Sequence, residues 1–189
     1  MAFDRENIYR LVRLHVPGAI TDSIAASLDV TMRDFCEHTD VWVEQIEVTT
    51  EAQEKRYEII SSEGQIVRLL TTVNSGESPV AAALEMEDVL VLGWEPAVVE
   101  TLTAYVSLKP PVSGNAGCVP EWVYNRYFDG IVHGVVSQMM SQPAKPYTNL
   151  ALAAYNSRMY KQVVHRAKNE SLQGFRFRGT GWSYPQAWR

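Results

Sequence analysis

The sequence predicts an α+β fold: a helical bundle with an inserted, mostly antiparallel β lobe and an extended C-terminal arm. Three observations support this class. Apolar residues recur at three- and four-residue spacing near both ends of the chain. Short runs rich in β-branched residues, separated by turn residues, lie between these segments. PPVSGNAGCVP at 110–120, with three prolines and two glycines, then predicts a linker.

Two helices are expected before the strands. The first runs from about Asp4, which can cap it, to Leu14, and Pro17-Gly18 ends it. The apolar side of this helix consists of Ile8, Leu11, Val12 and Val16. A second helix is expected to start at the capping residues TDS, 21–23. Its core-facing stripe consists of Ile24, Leu28, Met32, Phe35 and Cys36.

The β lobe is predicted from five runs. They are VWVEQIEVTT (41–50), KRYEII (55–60), QIVRLLTTV (65–73), VLVLGW (89–94) and TLTAYVSL (101–108). SSEG at 61–64 and NSGESP at 74–79 are predicted to be turns. The last run alternates cleanly, which indicates a half-buried strand in an antiparallel sheet. Its buried side is expected to be Leu102, Ala104, Val106 and Leu108.

Two longer helices are predicted after the linker. The run 121–140 is apolar nearly all round, so it is expected to be central. Its Gly130 and Gly134 predict a close helix approach, with Ala151 or Ala154 as the suggested partner. Asn149 is predicted to cap the last helix. The core-facing stripe of that helix is expected to be Leu152, Tyr155, Met159, Val163 and Ala167.

These elements divide the chain into four predicted parts. Residues 1–42 are the first part of the helical bundle, and residues 43–112 are the β lobe. Residues 113–172 complete the bundle, and residues 173–189 form a C-terminal docking arm.

Charge is unevenly distributed along the chain, whose net charge is −5. Residues 1–140 carry nine Lys/Arg and twenty-one Asp/Glu, whereas residues 141–189 carry eight Lys/Arg and one acid. Folding could intermix these charges. Alternatively, an acidic body carries a basic C-terminal part, which suits head-to-tail contact between identical copies or docking on an acidic partner.

The sequence gives little support for catalysis. It contains none of the phosphate-binding, dinucleotide-binding, nucleophile-elbow or zinc-protease motifs, and no CxxC pair. Asp129 and His133 are spaced to meet on one helix, but two residues are fewer than a metal site requires. We therefore expect no enzyme activity, no cofactor and no metal, with an enzyme of unrecognised class as the weakest hypothesis.

The N-terminus and the cysteines bear on location. Arg5, Arg10 and Arg13 interrupt what would be the apolar core of a signal peptide, and no stretch is apolar enough to span a bilayer. Cys36 lies on an apolar helix stripe, which favours a buried free thiol over a disulfide with Cys118. A free thiol fits a reducing cytoplasm.

The chain ends on FRFRGTGWSYPQAWR, which has five aromatic residues, three arginines and no acid. Aromatic residues beside arginines are typical of protein–protein anchors. Similar residues also stack on nucleic-acid bases, so nucleic-acid binding through this basic tail is the alternative function. A third possibility is that the segment folds back on its own body.

Several blocks of the sequence resemble the head-to-tail adaptor (connector) proteins of tailed double-stranded-DNA bacteriophages. They are LVRLHVPGA (11–19), FCEHTDVW (35–42), VSLKPP (106–111) and the segment 119–168. The last block is similar to the paired C-terminal helices of that family, whose connecting turn carries a Pro-Lys-Pro-aromatic pattern. Here the pattern is Pro143, Lys145, Pro146 and Tyr147. No motif carries the resemblance across roughly 43–100.

The resemblance implies a structural virion protein. It implies a dodecameric ring of identical subunits that joins the portal protein to tail, nozzle or tail-terminator proteins. Genomic DNA would pass through the ring's channel without specific binding. The location implied is the head–tail neck of the virion, after assembly in the host cytoplasm, with no membrane partner.

The resemblance also implies a portal-binding role for the C-terminal segment. The expected portal-binding residues are Phe175, Arg176, Phe177, Arg178, Trp182, Tyr184, Trp188 and Arg189. In this hypothesis the aromatic side chains anchor the arm and the arginines pair with acidic groups of the portal. The arm becomes ordered only on assembly, so the free energy cost of ordering it is incurred only when the portal is present.

Overall fold

A computed structural model describes residues 5–112 and 119–173, which form four α-helices and two three-stranded antiparallel sheets. The helices are α1 (Arg5–His15), α2 (Thr21–Thr39), α3 (Glu121–Met140) and α4 (Leu150–Leu172). The strands are β1 (Val43–Thr49), β2 (Arg56–Glu58), β3 (Gln65–Asn74), β4 (Ala82–Glu85), β5 (Val89–Leu92) and β6 (Thr101–Lys109). All six strands lie between α2 and α3 in sequence, and the predicted mixed α+β class is confirmed.

The described residues fall into two compact units. Residues 5–41, 110–112 and 119–169 belong to a helical unit. Residues 42–109 and 170–173 belong to a second unit, which contains all the strands and is called the β unit below. The predicted cap Asp4, the thiol of Cys118 and all but the first residue of the predicted arm lie outside the described residues.

Helices α1 and α2 bury one side each, as amphipathic helices do. The stripe predicted for α2, from Ile24 to Cys36, is fully buried, and Cys36 is a free thiol, as predicted. In α1 the prediction was partly wrong, because Tyr9 is buried and Leu11 is 37% exposed. Leu11 directly precedes the buried Val12. Because each residue turns the helix by about 100°, the side chain of Leu11 lies at the edge of the buried side.

Capping residues of the helices were predicted with mixed success. The structure has the side-chain oxygen of Asn149 accepting a hydrogen bond from the Leu152 amide at 3.1 Å, so the predicted cap of α4 is confirmed. Helix α2 starts at Thr21, as predicted, but the predicted capping by residues 21–23 was wrong, because Ile20 occupies the N-cap position and no side chain caps the helix. The backbone carbonyl of Ile20 accepts from the amides of Ser23 and Ile24, so Thr21 already lies within the first helical turn.

The first sheet of the β unit has the order β1-β6-β3, with β6 in the middle. Every pair is antiparallel, and β1 pairs with β6 along the whole length of β1. The predicted buried side of β6, Leu102 to Leu108 in alternation, has no solvent exposure. The alternation was therefore read correctly, because a central strand with one covered side shows a clear period of two.

The second sheet has the order β2-β5-β4. Strand β4 pairs with β5 across a short hairpin, with Glu85 opposite Val89. The sequence did not predict β4, because its residues, Ala-Ala-Leu-Glu, have low β propensity. The pairing with β5 places this segment in the sheet, so tertiary context prevails over local preference.

Candidate interaction surface

Helices α3 and α4 form an antiparallel hairpin joined by residues 141–149. The connection is closed by its own hydrogen bonds: the Thr148 hydroxyl donates to the Gln142 carbonyl at 2.6 Å, and the Lys145 amide donates to the Thr148 hydroxyl oxygen at 3.1 Å. The Asn149 amide donates to the Met140 carbonyl, so the start of α4 is attached to the end of α3. This connection fixes which residues of the two helices face each other.

The glycines of α3 allow the neighbouring helices to approach closely. A β-carbon added at Gly130 would lie 2.5 Å from the side chain of Val163, and one added at Gly134 would lie 2.6 Å from Thr31 and 2.9 Å from Tyr160. The predicted close approach is confirmed, but the suggested partners Ala151 and Ala154 were wrong. In an antiparallel hairpin the first residues of α4 lie opposite the last residues of α3, whereas the glycines lie further back along α3.

Polar groups also join α3 to α4. The Nδ1 atom of His133 lies 2.7 Å from the Asn156 Oδ1 atom, and the Asn156 amide nitrogen donates to the Leu152 carbonyl at 2.8 Å. Because an amide oxygen only accepts, His133 carries a proton on Nδ1 in this arrangement. The Ser137 hydroxyl donates to the Ala153 carbonyl at 3.0 Å. His133 is thus engaged with α4, and Asp129 is exposed.

Tyr160 attaches α4 to α2. Its hydroxyl donates to a carboxylate oxygen of Asp34 at 2.6 Å, and its ring centroid lies 6.5 Å from that of Phe35. Burial of the phenol, followed by this hydrogen bond and the negative charge of Asp34, raises the pKa of Tyr160 well above its ordinary value. The hydroxyl therefore remains a proton donor under ordinary conditions.

The outward side of α4 carries an apolar row, whereas its inward side carries mainly small or hydrogen-bonding residues. Leu152 is 47% exposed and Tyr155 is 50% exposed, with Met159 half-buried beside them. The inward side consists of Ala153, Asn156, Tyr160, Val163 and Ala167. The predicted core stripe was thus wrong for Leu152 and Tyr155, because the close contact with α3 is made by the helix side that carries small and hydrogen-bonding residues.

A polar row that contains two cations, Arg158 and Lys161, lies along the exposed part of α4. Arg158, Lys161 and His165 are all exposed, and they are spaced three and four residues apart. This is the same spacing as Leu152, Tyr155 and Met159, so each set forms a row along the helix. The two rows lie about 100° apart around the helix axis, side by side on the outward half of α4, and only Tyr155 and Arg158 are direct neighbours across them. We call the six residues on this outward half the α4 outer face.

The β unit carries the opposite charge. Residues 42–109 include twelve Asp/Glu and four Lys/Arg. The described chain thus presents a positively charged helix face in one unit and a strongly acidic composition in the other. From residue counts the sequence had suggested an acidic part at 1–140 and a basic part at 141–189, with intermixing of the charges on folding as the alternative. It did not predict which side of α4 is exposed.

The portal-binding residues predicted from the sequence, Phe175 to Arg189, lie outside the described residues. Within 5–112 and 119–173, no three His, Cys, Asp or Glu side chains are grouped to hold a metal ion. No helix in these ranges is long and apolar enough to cross a membrane.

The fold and its surfaces define an α+β protein with an apolar and cationic helix face and an acidic β unit. Comparison with known proteins finds no family model that matches the chain and no curated protein that matches it in sequence.

Proposed function

We propose that the protein is a structural virion component, a head-to-tail adaptor of tailed double-stranded-DNA bacteriophages. In this proposal the helices form a bundle that carries the β lobe, and the C-terminal segment is an extended arm. Twelve copies tile into a ring that joins the portal to the tail, nozzle or tail-terminator proteins and extends the DNA channel.

One observation carries most of the proposal. The block 119–168, which holds the most extensive resemblance to the adaptor family, folds as a helix hairpin, α3 and α4. The Pro143–Tyr147 pattern lies in its connecting turn, which is where the resemblance requires it. The resemblance therefore agrees with the folded arrangement of the segment as well as with its composition.

Charge supports assembly into a ring. A ring requires two different surfaces on each subunit, so that one subunit binds the next in the same orientation. The α4 outer face is positively charged and apolar, and the β unit is acidic. Acidic groups facing a channel would also repel DNA phosphates and keep the genome from binding to its wall.

The arm would make the portal contact. Residues 173–189 follow directly on α4 and carry the expected portal-binding residues. In the proposal Phe175, Phe177, Trp182, Tyr184 and Trp188 are the anchors, and Arg176, Arg178 and Arg189 pair with portal carboxylates.

Deletion of residues 175–189 tests the proposal. The truncated protein should keep its circular dichroism spectrum and melting temperature, because α4 ends at Leu172 and the deleted residues follow it. Electron microscopy of the full-length protein mixed with purified portal should show rings capping the portal, and the truncated protein should show none.

A matched control distinguishes loss of the aromatic anchors from loss of the chain segment itself. Replacing Phe175, Phe177, Trp182, Tyr184 and Trp188 by serine keeps the arm's length and its arginines, and should also abolish capping. Truncated protein that caps the portal as efficiently as the full chain would refute the docking arm. Full-length protein that never caps a portal would refute the adaptor function itself.

A nucleic-acid-binding function is the second candidate. Arg158 and Lys161 are exposed cations on α4, shortly before the three arginines of the C-terminal segment. Binding of this kind weakens steeply as salt rises, since it releases condensed counterions. Gel shifts at low salt decide between the two: strong, salt-sensitive binding to DNA supports the second candidate, and no shift removes it.

A further inference from the structure

The sheet β2-β5-β4 has one face that is open to solvent. Tyr57 and Leu90, which are paired with each other, are buried, so the residues that alternate with them lie on the other side. That side carries paired rows across the three strands, Glu58–Val89–Glu85 and Arg56–Val91–Ala83. We call these six residues the outer face of the second sheet.

This face has an apolar centre and an acidic border. Val89 and Val91 lie on the central strand, and Met86, at the tip of the β4–β5 hairpin, is 82% exposed. Glu58 and Glu85 lie on either side of Val89, and all three line a shallow open cavity together with Met86.

The acidic border retains negative charge after its internal ion pair is counted. Arg56 pairs with Glu85 at 2.9 Å. Glu58 is exposed on the same face, and Glu87 and Asp88 are exposed in the hairpin that borders it. The face is thus net negative around an apolar centre of two half-buried valines, with the exposed Met86 at its edge.

The α4 outer face has the complementary pattern. Leu152 and Tyr155 provide exposed apolar surface along one edge of the outward half, and Arg158 and Lys161 provide positive charge along the other edge. Apolar groups that meet lose contact with water, which is favourable. Cations that meet the acidic border gain attraction and orientation.

We propose that the α4 outer face of one copy docks on the outer face of the second sheet of another copy. The proposal deepens the adaptor function, on which it rests, by assigning the two surfaces that would join neighbouring subunits. Because each copy carries both surfaces, every copy can bind one neighbour through α4 and another through its sheet. Such a contact repeats head to tail and can close into a ring.

The size of the surfaces indicates a weak pairwise contact. The α4 outer face runs from Leu152 to His165, which corresponds to a length of about 20 Å. A strip of this length and about 10 Å wide covers about 200 Å², about a quarter of the roughly 800 Å² that each partner buries in a stable pairwise interface. Association should therefore rise steeply with concentration, because a closed ring adds contacts that an isolated pair lacks.

A charge-exchange experiment tests the contact. In one variant Arg158→Glu and Lys161→Glu reverse the α4 charges; in the other Glu58→Lys and Asp88→Lys reverse those of the sheet. All four side chains are exposed, so both variants should fold. Sedimentation velocity at low salt, from micromolar to millimolar concentration, should show association of each variant weakened by about tenfold or more relative to wild type.

Mixing the two variants makes the test specific. The reversed α4 of the first variant matches the reversed sheet of the second, and the two unchanged surfaces match each other. An equimolar mixture should therefore regain association near the wild-type level in alternating assemblies. Matched controls carry the same charge changes elsewhere, in Arg10→Glu with Lys145→Glu and in Glu47→Lys with Glu51→Lys, and should associate like wild type.

Three outcomes overturn the contact. They are wild-type protein that stays monomeric up to millimolar concentration, variants that associate like wild type, and a mixture that stays dissociated. An α4 variant that loses binding to DNA but not self-association also overturns it and favours the nucleic-acid function.

Portal capping distinguishes this contact from the adaptor function. Variants that cap portals normally refute the contact and leave the adaptor function standing. Rescued assembly in the mixture, with no capping by any protein, supports the contact and refutes the adaptor function.

Discussion

The two sides of α4 differ in a way that the hydrophobic pattern of the sequence does not suggest. The inward side is built from small and hydrogen-bonding residues, such as Ala153, Asn156 and Tyr160. The outward side carries the larger apolar residues Leu152 and Tyr155. The comparison teaches that close approach and hydrogen bonding fix how this helix packs, whereas the larger apolar residues Leu152 and Tyr155 remain half-exposed.

The glycine contact should give the largest effect on stability. In Gly134→Ala the new methyl group would lie less than 3 Å from both Thr31 of α2 and Tyr160 of α4. A shift of α3 away from one of these helices therefore moves the methyl group closer to the other. We expect the free energy of unfolding to fall by about 2 kcal/mol, although alanine favours a helix over glycine by up to about 1 kcal/mol. Urea denaturation measures this change.

The control for this prediction is a glycine with open surroundings. At Gly76 the nearest atom to an added β-carbon is 3.5 Å away, so Gly76→Ala should change the unfolding free energy by less than about 0.5 kcal/mol. If Gly134→Ala were as stable as wild type, close approach would not determine how α3 packs.

The hydroxyl of Tyr160 should give the next largest effect. Tyr160→Phe removes the hydrogen bond to Asp34 and leaves a carboxylate without this donor. The expected loss is about 1.5 kcal/mol of unfolding free energy at neutral pH, because hydrogen bonds to charged groups are the stronger ones. Tyr155→Phe is the matched control, since Tyr155 is half-exposed, and it should leave stability unchanged.

The pH dependence of this loss has a definite sign. The pKa of Tyr160 is raised in the folded protein, so only the unfolded chain releases the phenol proton just above its ordinary pKa of about 10. The contribution of Tyr160 is thus fully present below pH of about 10 and falls by about 1.4 kcal/mol per pH unit above it. Urea denaturation should show the difference between wild type and Tyr160→Phe shrinking above that pH; a constant difference would contradict the raised pKa.

The outward side of α4 should give the smallest effect on stability. Tyr155→Ser removes a ring that is 50% exposed, so the unfolding free energy should change by less than about 0.5 kcal/mol. The same variant should self-associate several-fold more weakly in sedimentation velocity, because the ring belongs to the proposed contact. A large loss of stability with unchanged association would show that the outward side of α4 stabilises the fold and does not make the proposed contact.

The parts of the fold that were predicted correctly are those in which local patterns and tertiary packing agree. The alternation of Leu102 to Leu108, the stripe of α2 and the Asn149 cap each follow from spacing within one element. Strand β4 was missed because only its pairing with β5 makes Ala82–Glu85 a strand. The exposed side of α4 was not predicted correctly, because it depends on how α3 packs against α4. The spacing of apolar residues alone does not reveal this packing.

The residue counts indicated how charge is distributed along the chain, but they located neither candidate surface. Residue counts indicated a basic C-terminal part and an acidic remainder. Assigning positive charge to one side of α4 required the position of Asn156 and Tyr160 against the other helices. The outer face of the second sheet required β4, so no pattern in the sequence could have located it.

The buried thiol of Cys36 provides an internal reporter of local opening. It has no solvent exposure and lies on α2 inside the helical unit. An alkylating reagent can reach the sulfur of Cys36 only when α2 moves away from the residues that cover it. The labelling rate of Cys36 therefore reports how often this local opening occurs. Peptide mass spectrometry would assign the label to Cys36, and protection on assembly would show whether neighbouring copies hold the unit closed.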